Sequence, residues 1–159
     1  MVNLLNNKWI LWYHDIDEKD WSINGYKKIG EINSIENFTN IYKSLDETIV
    51  QNSMLFLMRE NITPIWEDKH NINGGCWSFK ISKKDIFNAW KELSLHLVSE
   101  NITKDIKNSL NLNGISISPK KNFSIAKIWN KDNKINHNNI LSKKIPNIFI
   151  YDSIYKSHQ

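Results

Sequence analysis

The sequence predicts an α+β fold, in which helices pack on one face of a mostly antiparallel sheet. Short apolar or alternating segments separated by turn residues indicate strands, and apolar residues at spacings of three and four indicate two or three amphipathic helices. The basic turn Pro119–Asn122 between two such strands indicates a hairpin. Helices that cover one face of an antiparallel sheet leave the other face free, and we expect one domain over residues 1–159.

The first half of the chain is predicted to hold three strands and one helix. Lys8–His14 is aromatic and apolar enough for a strand, and Tyr26–Ile32 is a second candidate. Ser34 is a suitable N-cap for a helix, because the apolar residues that follow it recur at spacings of three and four. Met54–Arg59 is a short apolar run that we interpret as a strand.

The second half begins with a long predicted loop, Asn61–Gly75, which contains Pro64 and ends in a glycine pair. Cys76–Ile81 alternates and is typical of a strand. Ser82, with Asp85 three residues later, resembles a capping box in front of a long helix. Further strands are predicted at 114–118, 123–129 and 147–151, and shorter helices at 102–110 and 138–144.

Composition excludes several classes of protein. With 40% hydrophobic and 24% charged residues, the chain is typical of a packed globular domain and not of a disordered one. No apolar run approaches the ~20 residues of a membrane span, and the N-terminal residues show no signal-peptide pattern. Cys76 is the only cysteine, and no histidine pair has metal-ligand spacing. We therefore predict a cytoplasmic protein with no disulfide, metal or cofactor.

The charge and codon bias carry weaker information about the partner and the source. The net charge of +4 is compatible with an anionic partner. Asparagine, isoleucine and lysine are abundant, which indicates an AT-rich gene and favours a virus or a reduced eukaryotic parasite as the source. In a virus-encoded protein, the cytoplasm would be that of the host.

The tryptophans are the most informative residues, because there are seven of them in 159 residues. Trp21 ends a charged turn and Trp66 lies in the long loop, where burial gives little reason for a large indole. Trp129 ends a strand on the face that also carries Lys127. The remaining four lie within periodic elements and are predicted to be core residues: Trp9, Trp12, Trp77 and Trp90.

Three interpretations of the loop segment Trp66-Glu67-Asp68 remain open at this point. Trp66 could fix the loop to the core while the carboxylates are solvated. Alternatively, Trp66 and Glu67 could form a planar recognition site, with a stacking face beside two acceptor oxygens. In the third interpretation, Glu67 and Asp68 are catalytic carboxylates of a nucleotide hydrolase. Adjacent residues in an extended loop usually point to opposite sides, which disfavours that pair.

Segments along nearly the whole chain resemble the initiation factor 4E family, whose members bind the cap of messenger RNA. The most specific part is Pro64-x-Trp66-Glu67-Asp68 followed by Gly74-Gly75-x-Trp77. The other similar segments are KWILWYHDIDEKDW, SIENFTNIYKSL, NAWKELSLHLVSE, NGISIS with IAKIWNKDNK, and PNIFIYDSIYKSHQ. The resemblance implies a curved sheet with about three helices on its convex face and the cap on its concave face.

The resemblance also implies roles for individual residues. Trp21 and Trp66 correspond to the indoles that stack on either side of 7-methylguanine, and Glu67 to the carboxylate that accepts hydrogen bonds from the guanine edge. Trp129 corresponds to the indole beside the 7-methyl group. No bond is made or broken in this recognition, so the protein is not expected to be an enzyme. A monomer is expected.

The basic residues follow the family pattern less closely. Lys120 lies where the family places a cation for the cap phosphates. A second basic position is Ile125 here, and Lys121 or Lys127 could substitute for it. The position after the double glycine, often basic in the family, is Cys76.

The surface that grips partner proteins in the family is also altered. Thr39 stands where the family usually has tryptophan, and Lys91 replaces an apolar residue, while Ile35, Glu92 and Leu95 keep the character of that surface. We therefore expect weak docking of the usual scaffold protein. The chain would then act in translation initiation with another partner, or as a repressor that holds caps without recruiting a scaffold.

Overall fold

The computed structural model describes all residues 1–159 and contains one curved, seven-stranded antiparallel sheet. The strands are β1 (Leu4–His14), β2 (Tyr26–Ser34), β3 (Met54–Arg59), β4 (Gly75–Ser82), β5 (Leu112–Pro119), β6 (Phe123–Asn130) and β7 (Ile154–Ser157). Their order across the sheet is β2-β1-β3-β5-β6-β4-β7. The predicted α+β class and the antiparallel pairing are confirmed.

Four α-helices accompany the sheet, where the sequence predicted about three. They are α1 (Ile35–Lys43), α2 (Glu47–Asn52), α3 (Ile86–Val98) and α4 (Ile106–Ser109). Ser34 caps α1 as predicted, because its Oγ accepts a 3.1 Å hydrogen bond from the backbone N–H of Asn37. Helix α2 was not predicted; it begins after Asp46, whose side chain accepts from the N–H of Ile49.

Alternation along the strands divides the large side chains between two separate cores. On the helical side, Trp9 and Leu11 of β1 are buried with Trp90 of α3, in a cluster of 28 residues. On the opposite side, Ile10 and Trp12 join a smaller cluster of seven residues. That smaller cluster also contains Phe56, Met58, Ile62, Cys76 and Trp129. It forms the floor of the open sheet face on which the candidate site residues lie.

Three local predictions are wrong. Ser82 does not cap α3; its hydroxyl donates to the Asp85 carboxylate at 2.8 Å, and the helix begins after Asp85 without a side-chain cap. Residues 138–144 form only a short 3-10 turn, Asn138–Ile140. Residues 147–151 form no strand, and the last strand is β7, which pairs with β4.

Candidate functional site

The open face of the sheet contains a cavity of about 300 Å³, which we call the concave-face cavity. All four residues predicted to bind the base line it: Trp21, Trp66, Glu67 and Trp129. The other lining residues are Tyr26, Met54, Phe56, Pro64, Ile65, Ser116, Ile117, Ser118 and Lys127. Residues far apart in the sequence therefore meet in one apolar cavity that carries a carboxylate.

The two loop tryptophans are large apolar side chains in contact with solvent. Trp21 is 53% exposed and Trp66 is 46% exposed, whereas Trp9, Trp77 and Trp90 are at most 1% exposed. A tryptophan that fixed its loop to the core would be covered, so this interpretation of Trp66 is not supported. Exposed indoles at the rim of a cavity are suited to stacking on a flat ligand.

Asp68 holds the loop together and does not line the cavity. Its carboxylate accepts hydrogen bonds from the backbone N–H and the hydroxyl of Thr63, at 2.9 and 2.6 Å, and from the backbone N–H of His70 at 2.8 Å. Burial raises the pKa of Asp68, but these hydrogen bonds outweigh it and lower the pKa below its ordinary value. Asp68 is thus a structural carboxylate, which disfavours the interpretation in which it forms a catalytic pair with Glu67.

Two buried amides, which the sequence did not single out, fix the loop from behind. The side-chain amide of Asn71 donates to the carbonyl oxygens of Thr63 and Ile65, at 3.0 and 2.9 Å. Asn113 of β5 donates to the Asn71 side-chain oxygen at 2.8 Å. Because these bonds end at the residue before Trp66, they fix the backbone that carries its indole.

Gly74 lets the end of the same loop approach β6 closely. A Cβ atom at this position would collide with the carbonyl oxygen of Asn130, which is backbone and has little freedom to move. The side-chain oxygen of Asn130 in turn accepts from the backbone N–H of Gly75 at 3.0 Å and from the Tyr155 hydroxyl at 2.8 Å. The glycine pair noted in the sequence is therefore a packing requirement and not a phosphate loop.

A second cavity of about 310 Å³ adjoins the first, and we call it the adjoining cavity. It shares Trp66, Lys127 and Trp129 with the concave-face cavity and adds Cys76, Ser78, Lys156, Ser157 and His158. No carboxylate lines it, and both of its lysines are exposed. This composition is suited to an anion that continues from a ligand in the first cavity.

Of the three lysines predicted to bind phosphate, one lines the cavities and two do not. Lys127 lies on the wall between the two cavities, as the strand alternation predicted. Lys120 and Lys121 are exposed in the β5–β6 turn and line neither cavity. Lys156 on β7 was not predicted, because the alternation at 147–151 indicated that the last strand lies there.

Burial controls the titration of the groups beside Trp129. The His158 ring lies 5.2 Å from the Trp129 ring, and its Nδ1 lies 2.7 Å from the Asn71 carbonyl oxygen. Burial lowers the pKa of His158 below its ordinary value. Burial also raises the pKa of the Cys76 thiol to about 12, so the thiol stays protonated and is a poor nucleophile.

The partner surface predicted from the resemblance forms a groove of about 530 Å³ between α1, α2 and α3, which we call the helix groove. Ile35, Thr39, Lys91 and Leu95 line it, while Glu92 does not. The other lining residues are Phe38, Tyr42, Lys43, Leu45, Asp46, Glu47 and Phe87. The groove is apolar at its base, and it lies on the side of the sheet opposite the two cavities.

The structure lacks two further features. No group of three or more histidine, cysteine, aspartate or glutamate side chains is arranged to hold a metal ion. None of the helices has the length and apolar character that crossing a membrane requires.

Comparison with solved structures supports the fold. The structure superposes on that of Ascaris suum eIF4E-3 in complex with the m7G cap, with a TM-score of 0.79 over 100% of this chain and 93% of that one, at 20% identity. Caenorhabditis elegans eIF4E-3, in a complex with the 4E-binding protein Mextli and a cap analog, gives a TM-score of 0.74 over 83% of this chain and 76% of that one, at 24% identity. At these identities the likeness establishes the fold alone.

Comparison with known sequences identifies the family. The chain is 32% identical over 138 residues to eukaryotic translation initiation factor 4E of Candida albicans. This match covers 80% of this chain and 64% of that protein. It is 29% identical over 133 residues to the same factor of Saccharomyces cerevisiae, covering 80% of this chain and 61% of that protein. The matched region thus spans about three fifths of these relatives. The family model for eukaryotic initiation factor 4E matches residues 4–159, and the chain belongs to this family.

Proposed function

We propose that the protein binds the 7-methylguanosine cap at the 5′ end of messenger RNA and acts in translation initiation or its control. The observation that carries this proposal is the concave-face cavity, in which two exposed indoles, a carboxylate and a third indole converge. The relatives that share this fold include a protein solved with the m7G cap. The proposal extends that property to this chain through Trp21, Trp66, Glu67 and Trp129.

The stacking residues account for selection of a methylated base. Methylation at N7 gives guanine a positive charge, and a cation between the faces of Trp21 and Trp66 gains cation–π attraction of about 2 kcal/mol or more when desolvated. Stacking of an ordinary base on an aromatic side chain contributes about 1–3 kcal/mol. The methylated base should therefore bind more tightly than the unmethylated one, although both have the same shape at their hydrogen-bonding edge.

Glu67 accounts for selection of guanine. Guanine presents adjacent N1–H and N2–H₂ donors, and a carboxylate offers two acceptor oxygens in matching geometry. Glu67 lines the cavity, and its side chain forms no salt bridge within the protein. Adenine lacks this donor pair and would leave the carboxylate without hydrogen-bond partners.

The lysines of the adjoining cavity are proposed to hold the phosphates of the cap. Lys127 lies next to Trp129 and Lys156 lies across the same cavity, so a triphosphate leaving the base would meet both cations. Lys120 and Lys121, at the exposed turn, are proposed to contribute long-range attraction to RNA and no direct contact with the base.

The proposal has no catalytic step. The buried thiol and the structural role of Asp68 leave no nucleophile or carboxylate pair beside Glu67. We accordingly propose a monomeric, cytoplasmic binding protein that is not an enzyme. In the helix groove, an amphipathic helix of a scaffold or repressor protein would lie against Ile35 and Leu95.

A resin that carries 7-methylguanosine triphosphate tests this function. We expect the protein to be retained and then released by free cap analogue but not by GTP at the same concentration. In parallel, capped RNA is incubated with the protein and magnesium, and released cap nucleotides are measured. Failure of retention would contradict cap binding, and release of cap nucleotide would favour the hydrolase.

A further inference from the structure

His14, at the end of β1, is completely buried directly against one face of Trp21. The two rings are stacked, with centroids 4.1 Å apart and planes at 6° to each other. Trp21 lines the concave-face cavity and His14 does not, so the indole turns one face toward the imidazole and offers the other to a ligand. Trp21 is thus supported from behind although it is 53% exposed.

Both ring nitrogens of His14 face backbone carbonyl oxygens of the loop that carries Trp21. Nδ1 lies 2.8 Å from the carbonyl oxygen of Asp15, and Nε2 lies 2.9 Å from that of Asp20. A carbonyl oxygen can only accept, so each hydrogen bond needs a proton on the ring nitrogen. The ring therefore donates to at least one of the two oxygens, whichever nitrogen carries the proton.

The groups around the ring favour this arrangement. The carboxylates of Asp15 and Asp20 lie close by and are ionised, because hydrogen bonds from Asp17 and Ser22, respectively, are the main causes that lower their pKa values. Tyr26 of β2 contacts the ring edge-on at 4.6 Å, and burial raises its pKa to about 12, so it stays neutral.

The loop that leads to Trp21 also contacts the backbone at Gly25. Asp20 packs against Gly25, where a Cβ atom would collide with the Asp20 carbonyl oxygen, the same oxygen that faces His14. The segment that leads to Trp21 is therefore fixed from two sides, by the imidazole and by the backbone at Gly25.

We propose that His14 is a positioning residue that holds Trp21 in its ligand-binding orientation through the ring stack and through hydrogen bonding to the loop. This inference rests on the proposed function. Removal of these contacts would leave Trp21 free to move from its place over the cavity. Cap affinity should then fall.

The test compares His14→Phe with the wild type in cap-analogue titrations at a single pH. Phenylalanine keeps a stacked ring and removes the hydrogen bonding to the loop. We expect His14→Phe to bind about fivefold more weakly, the factor that one hydrogen bond of ordinary strength contributes.

A double-mutant cycle distinguishes positioning from a general effect on the fold. In a Trp21→Ala background, His14→Phe should cause no further loss of affinity, because its effect passes through Trp21. Equal affinity of His14→Phe and the wild type, or an additive loss in the cycle, would overturn the inference. A wild type that binds no cap analogue would instead contradict the proposed function.

A measurement without ligand tests the inference even in that case. The mobility of the Trp21 side chain, read from the heteronuclear NOE of its indole N–H and assigned with Trp21→Phe, should increase in His14→Phe. An unchanged NOE would show that His14 does not hold Trp21 in place.

Discussion

The indole Nε1–H of Trp129 donates a 3.0 Å hydrogen bond to the hydroxyl oxygen of Ser116 on the neighbouring strand. Both residues are buried, at 7% and 5% exposure. Because the only polar atom of the indole is satisfied inside the protein, Trp129 presents apolar ring atoms to the cavity. Such a surface suits a methyl group on the ligand.

Removing this acceptor should destabilise the protein. In Ser116→Ala the indole N–H stays buried without a partner, which costs about 1–3 kcal/mol. Ser116→Thr is the matched control, since it keeps the hydroxyl. The free energy of unfolding from urea titration measures the difference, and equal values for Ser116→Ala and the wild type would mean that the N–H finds another partner.

The two exposed indoles should carry much of the cap affinity and little of the stability. We expect Trp21→Ala and Trp66→Ala each to weaken binding of a cap analogue by roughly 1–3 kcal/mol, with melting temperatures close to the wild-type value. Phenylalanine at either position should restore part of the affinity. Wild-type affinity in either alanine variant would contradict the stacking role.

The lysines should divide into two classes when binding is measured against salt concentration. Lys127→Ala and Lys156→Ala should weaken binding of a cap triphosphate and each reduce the salt slope, while binding of bare 7-methylguanosine stays nearly unchanged. Lys120→Ala and Lys121→Ala should have smaller effects. Lys107→Ala, exposed on α4 and outside both cavities, is the charge-matched control. A full salt slope in the Lys127→Ala, Lys156→Ala double variant would place the phosphates elsewhere.

The helix groove should bind a scaffold peptide weakly until its apolar surface is enlarged. Thr39 donates its hydroxyl hydrogen to the Ile35 carbonyl oxygen at 2.9 Å, so it offers little apolar area, and Lys91 brings a charge to the same groove. A buried tryptophan often contributes about 2 kcal/mol or more to such contacts. Thr39→Trp, alone or with Lys91→Leu, should therefore strengthen binding.

Titration with a labelled scaffold peptide measures this effect. Affinity for cap analogue is the internal control and should not change, because the groove lies on the other side of the sheet. Tight peptide binding by the wild type would show that Ile35, Leu95 and their neighbours suffice.

His158 should make the protein less stable in mild acid. Its folded pKa lies below the ordinary value of 6.5, so between these two values the unfolded chain binds a proton that the folded chain does not. Its contribution to stability is complete above about pH 6.5 and declines as the pH falls toward the folded pKa. His158→Asn, which can still donate to the Asn71 carbonyl oxygen, should flatten the dependence of melting temperature on pH below 6.5. An unchanged dependence would contradict the role of His158.

The sequence predicted elements best where a local pattern coincided with tertiary packing. The apolar face of α3 is an example, since Ile86, Trp90, Leu93 and Leu97 are all buried as their spacing predicted. Helix α2 is too short for such a pattern to emerge. At residues 147–151 the alternation of apolar residues does reflect burial, because Ile148 and Ile150 are buried. The segment nevertheless forms no strand, because it pairs with no other strand.

The candidate site was predictable in part for a similar reason. Exposed indoles in polar loops are visible in a sequence, and Trp21, Trp66, Glu67 and Trp129 do converge in one cavity. Residues that act through long-range contacts leave no local pattern. His14 resembles any strand-end residue, and Lys156 becomes informative only once β7 is placed beside β4. The same holds for the buried amides of Asn71 and Asn113.

The most direct test of the central claim is a side-by-side calorimetric titration of 7-methyl-GTP and GTP with the wild type and Glu67→Gln. Cation–π attraction to the charged base predicts that the wild type binds 7-methyl-GTP at least about tenfold more tightly than GTP. Glu67→Gln, which loses the charged acceptor but keeps its size, should lose about 1.5–3 kcal/mol of affinity for 7-methyl-GTP. Equal affinity of the wild type for the two nucleotides, or unchanged binding by Glu67→Gln, would contradict the account.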